Sequence, residues 1–154
     1  MIRTENRIRI CTGLLILNLA FIWGNSLLPG SVSGAFSDWV KELLMRLLPG
    51  GDEIGPEGGG LLRKLAHFTE FATLGILLAW MSAMRKRHGA MALLLGAAAA
   101  CVDETIQMFV PDRGPSLWDV GIDTCGVITG MIVLHLGYFL WRKNQFTLFG
   151  GKQQ

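Results

Sequence analysis

Acidic side chains recur in this chain at places where acids are expensive. Asp103 and Glu104 stand side by side at the end of an apolar run that begins near Gly89. Gln107 follows four residues after Asp103 and three after Glu104, so it can reach either on a helix. His67 and Glu70 are spaced i, i+3 and share a helix face, with Arg63 one turn before them. Asp119 and Asp123 are spaced i, i+4. Arg63, Lys64 and Arg113 are the neighbouring cations. An ionisable group at bilayer depth marks a functional site by default.

Three chemistries fit these residue types. The cations suit phosphate or carboxylate and the acids suit amines or sugar hydroxyls, which makes a binding pocket; Ser26 and Ser116 add hydroxyls. His67 with Glu70 also suits a general base and its orienter, and Asp103 or Glu104 a shifted general acid. His67, Glu70, Asp103 and Asp123 together suit a divalent cation held by oxygens and one imidazole, such as Mg²⁺, Mn²⁺ or Zn²⁺. No cofactor is firmly implied. Neither Ser26 nor Ser116 lies in a G-x-S-x-G or other activated-serine motif, and no HExxH is present.

The elements that must position these residues follow from composition. The 154-residue chain is 51% hydrophobic and 17% charged, with mean hydropathy +0.41, which is too apolar for an ordinary soluble domain. Four apolar runs, at about 8–28, 62–84, 89–110 and 116–141, each match the roughly 20 residues that cross a hydrocarbon core. The first is read as a retained anchor and not a cleaved leader, because no A-x-A site follows it. Between the first two runs, apolar residues at 36, 39, 40, 43, 44, 47 and 48 form a helical stripe too short to span, with Ser33 as N-cap. A Gly-rich loop, 50–60, follows it, and 144–154 reads as a polar tail. The fold class is therefore an all-α membrane protein: one domain over 1–154, a four-helix transmembrane bundle with an extracellular interfacial helix.

Charge placement orients it. Arg3, Arg7 and Arg9, then Arg85, Lys86 and Arg87, then Arg142, Lys143 and Lys152 alternate with the spans and put both termini in the cytoplasm. Glu70, Asp103 and Asp123 then lie equally far from span ends at Arg63, Val110 and Ser116, about 10 Å of helix inward in the outer leaflet. The polar stripe of the fourth span runs into Gly126 and Gly130, a G-x-x-x-G that permits close helix approach. The expectation is a polar pocket among spans two, three and four, opening outward. Cys11, Cys101 and Cys125 lack any paired spacing and read as small buried apolar residues. No basic run interleaves with aromatics, which excludes nucleic acid as a partner class.

The motifs resemble those of the VanZ-like family of small membrane proteins, named for an accessory protein of teicoplanin resistance. They are Asn25-Ser26, Arg63-Lys64-Leu65-Ala66-His67-Phe68-Thr69-Glu70-Phe71, Asp103-Glu104-Thr105-Ile106-Gln107, and Pro111-Asp112-Arg113 followed by Asp119 and Asp123-Thr124-Cys125-Gly126. They cover spans from 63 to about 130 and the end of the first. Leu27-Leu28-Pro29 departs from the Ser and Gln common after the Ser26 position, and the 36–48 helix lies outside the recognised pattern. The resemblance implies a bacterial plasma-membrane protein with a cell-envelope role and reduced susceptibility to lipid-like glycopeptides, without an established enzymatic activity. Membrane lipids, a lipid-linked cell-wall precursor or a lipoglycopeptide are the partners expected; the alternative is a membrane enzyme acting on such a precursor.

Overall fold

The computed structural model describes residues 2–47, 58–114 and 116–149. It contains α1 (Ile2–Ser26), α2 (Gly30–Leu47), α3 (Gly58–Met84), α4 (Gly89–Gln107) and α5 (Leu117–Phe149), with no strand among the described residues. Four of these helices, α1, α3, α4 and α5, are long and apolar enough to cross a membrane. The protein is an all-helical integral membrane protein.

The core is small because lipid, not protein, covers most of an apolar membrane helix. Ile22, Phe71, Leu74, Ala99, Ala100 and Val127 form the buried cluster, while residues such as Ile16, Leu94 and Phe139 stay on the outer surface. With no water to expel, association rests on close packing and interhelical polar contacts. Small residues supply the packing. Gly75 lies against the Val127 backbone and Gly130 against the Ala72 backbone, so α3 and α5 meet without a side chain between them. That contact is the most extensive in the bundle. It fixes the rotation of α5 and turns Asp119 and Asp123 toward α3.

Several boundaries differ from the sequence expectation. Helix α2 starts at Gly30, not after Ser33, because the Pro29 carbonyl accepts the first helical N–H groups from Val32 and Ser33. Gly30 and Ser31 precede the expected N-cap, but the Gly30 N–H donates to the Pro111 carbonyl at 3.0 Å, which ties the start of α2 to the α4–α5 turn. Position 48 and most of the 50–60 loop lie outside the described residues, whereas Gly58, Gly59 and Gly60 belong to α3. Helix α4 stops at Gln107, short of Val110. Tight i→i+3 bonds from Phe109 and Val110 close its end, and Asp112 (φ 60) turns the chain back. Residues Asn144 to Phe149 continue α5 instead of forming a tail, and 150–154 lie outside the described residues. Only Cys11 is buried. Cys101 and Cys125 are exposed on the side that a bilayer would cover.

Candidate functional site

The end of α1, the start of α3, the end of α4 and the start of α5 meet at one end of the bundle. Ser26, the last residue of α1, is fully buried there, and its hydroxyl donates to Asp103 Oδ1 at 2.6 Å. The Gln107 amide donates to Asp103 Oδ2 at 2.8 Å, one helical turn along α4, and its nitrogen is 3.5 Å from the Ser26 hydroxyl oxygen. Both oxygens of a fully buried carboxylate are thus occupied, as burial demands. Of its two possible partners, Gln107 takes Asp103. Glu104 points to the other side, where its Oε2 accepts the Ser116 backbone N–H at 2.8 Å. Ser116 therefore enters the site through its N–H, holding the start of α5 against α4, and its hydroxyl makes no such contact in these bonds.

A narrow cavity of about 10 Å³, room for about one water, lies between α3, α4 and α5. Its walls are Arg63, Lys64 and His67 from α3, Glu104 and Gln107 from α4, and Asp119 and Asp123 from α5. His67 Nδ1 stands 3.8 Å from Asp103 Oδ2, near but beyond hydrogen-bond length. Lys64 Nζ is 3.9 Å from Asp119 Oδ1, a partly exposed pair whose contribution to stability is below about 1 kcal/mol. Asp123 is 1% exposed and its Oδ1 has no hydrogen-bond partner.

Glu70 and Arg113 do not line this cavity. They belong to a second space of about 410 Å³, a mainly apolar groove between α1, α2 and α3. Phe21, Leu28, Val32 and Ala66 line its apolar side, and Asn25, Glu70 and Arg113 its polar end. Asn25 Nδ2 donates to Glu70 Oε1 at 2.9 Å, and Arg113 Nη2 donates to the Asn25 carbonyl at 3.1 Å. Burial pushes the Arg113 guanidinium below its usual pKa and nearby Arg63 adds to this, while Asp103, Glu104 and Glu70 oppose it. Arg63 and His67 border both spaces.

The expected ring of Glu70, Asp103 and Asp123 is thereby revised. Asp103 and Asp123 come together with His67, all three offering ligand atoms within 4.8 Å of one another. Glu70 sits a turn below His67 on the α1 side. The site is walled by α1 as well as by the three helices expected. Asn25 is the residue that sequence reasoning left out of the site. Its place next to Ser26 at a span end was the available signal, but i, i+1 residues face different ways, so Asn25 and Ser26 serve different spaces.

The VanZ/LLP1 family profile matches residues 11–141, a wider stretch than the recognised motifs, reaching from within α1 through α2 into α5. No curated protein and no solved structure matches the chain. A match across most of the chain, on the same helices that build the polar end of the bundle, shows that this chain belongs to the VanZ-like family.

Proposed function

We propose that this protein is a cell-envelope binding protein of the bacterial plasma membrane, taking an amphiphile at the polar end of its bundle. The observation that carries the reading is the junction of two unlike spaces. A narrow cavity walled by cations and acids shares Arg63 and His67 with a mainly apolar groove of about 410 Å³. That arrangement suits a molecule with a charged or sugar-bearing head and an acyl tail: a lipid, a lipid-linked cell-wall precursor or a lipoglycopeptide such as teicoplanin. Arg63 and Lys64 meet phosphate or carboxylate, the acids meet amines or hydroxyls, and Phe21, Leu28 and Val32 meet the tail. Alternation of basic clusters with the spans supports termini in the cytoplasm and a pocket facing outward. Family membership supports the link to glycopeptide resistance.

Native mass spectrometry of the purified protein with a short-chain anionic phospholipid, and with teicoplanin, tests this reading. Bound ligand on the wild type that falls about tenfold in Arg63→Ala is the expected result. Equal occupancy in both proteins would sink it.

A second reading is favoured by the approach of His67 to Asp103, 3.8 Å apart beside the cavity. In it the same amphiphile is a substrate and His67 a general base. Turnover of a bound lipid precursor, lost in His67→Gln, would establish it; binding without turnover retires it.

A further inference from the structure

Three side chains from three helices face a common point. His67 of α3, Asp103 of α4 and Asp123 of α5 each present a ligand atom, all within 4.8 Å of one another. Asp103 is 0% and Asp123 1% exposed. Two carboxylates this close inside a membrane bundle do not both stay ionised unless a positive charge lies between them. Lys64 stands 3.9 Å from Asp119, and Arg113 donates one N–H to the Asn25 carbonyl. Asp123 Oδ1 is buried, borders the cavity and has no hydrogen-bond partner. A buried acceptor without a protein partner leaves a lone pair open to water or an ion.

We propose that His67, Asp103 and Asp123 bind a first-row divalent cation, Zn²⁺ or Mn²⁺. Ligand atoms about 2.0–2.2 Å from such an ion lie roughly 3–4 Å apart, so the trio needs only a small contraction to close on it. One imidazole among the ligands favours a transition metal over Ca²⁺, which takes about six to eight oxygens. A dication balances the two carboxylates. The remaining positions face the cavity, where water or a ligand oxygen can enter. The surrounding bonds suit the role. The Ser26 hydroxyl and the Gln107 amide each hold one oxygen of Asp103, fixing the carboxylate plane while leaving a lone pair for the ion. Glu70 is outside the set, with its Oε1 committed to Asn25. The site rests on the trio alone and stands without the amphiphile.

The test uses the full chain purified in detergent, stripped with a chelator and titrated with Mn²⁺. The wild type binds one equivalent, and pulsed electron paramagnetic resonance shows coupling to a single imidazole nitrogen. That coupling disappears in His67→Gln, which retains His88 and His135. Asp123→Asn weakens Mn²⁺ at least about a hundredfold, and Ser26→Ala about ten- to a hundredfold. Asp112→Asn, at an exposed acid on the neighbouring turn, leaves affinity unchanged. Circular dichroism verifies the fold of each variant, and should Asp123→Asn misfold, the nitrogen coupling decides alone. Failure of the wild type to bind Mn²⁺ or Zn²⁺, or coupling that survives His67→Gln, overturns the site. Neither result bears on lipid occupancy, which is read in Arg63→Ala.

Discussion

The Ser26 hydroxyl donates to Asp103 Oδ1 across 2.6 Å, joining the last residue of α1 to an acid on α4 in a pocket with no exposure. The bond links residues 77 positions apart and locks α1 onto the rest of the bundle.

Ser26→Ala leaves that oxygen of Asp103 without its donor, because Gln107 serves the other one. Interhelical hydrogen bonds in membranes average well below the cost of an orphaned buried charge, so a loss of about 1–2 kcal/mol is expected. Thermal unfolding in detergent reads it. A melting point equal to wild type would show that water replaces the hydroxyl.

Asp123→Asn behaves differently. The carboxyl has an oxygen without a protein partner and sits near Asp103, so an amide of the same shape, which cannot ionise, adds no repulsion. The variant accumulates in the membrane at the wild-type level and melts at or above the wild-type temperature, while ligand-dependent function is lost. Immunoblotting of membranes beside the binding assay separates the two effects. Failure to accumulate would mark Asp123 as structural.

The α3–α5 crossing tolerates no side chain. A Cβ on Gly130 runs into the Ala72 carbonyl, whereas one on Gly137 meets nothing within 4 Å. Gly130→Ala is expected to destabilise by about 1–3 kcal/mol relative to Gly137→Ala, because its Cβ meets backbone and the other meets nothing. Comparing the two in the same thermal assay controls for helix propensity. Equal melting points would mean the helices can separate freely.

Orientation is open to a direct test in cells. In a background with Cys11, Cys101 and Cys125 replaced, a cysteine at Gly114 reacts with a membrane-impermeant maleimide added outside, and one at His88 does not. Both positions are exposed at opposite ends of the bundle. The reverse labelling pattern would place the pocket in the cytoplasm.

Much of this architecture is legible in the chain itself. Four apolar runs of spanning length, separated by basic or proline-bearing turns, determine the helices and their alternation, because length and hydropathy alone decide what crosses a bilayer. Helical spacing places His67 with Glu70 and Asp119 with Asp123 on common faces, and the motifs at 63–71 and 103–107 carry the family. Helix ends were less legible. The residues before Ser33 read as loop, and only the Gly30 bond to Pro111 and the Pro29 carbonyl explain why α2 begins at Gly30.

What tertiary structure alone decided is which neighbour each polar face meets. Periodicity gives the direction of a side chain about its own axis but not the rotation of one helix against another. Here that rotation comes from backbone contacts at Gly75 and Gly130, which bring Asp123 toward Asp103 and His67. The same packing leaves Glu70 to Asn25, a residue whose role no spacing within α1 could reveal. Glu70 and Asp123, expected at one depth, thus end in different spaces, because close approach of small residues sets the angle at which each helix presents its face.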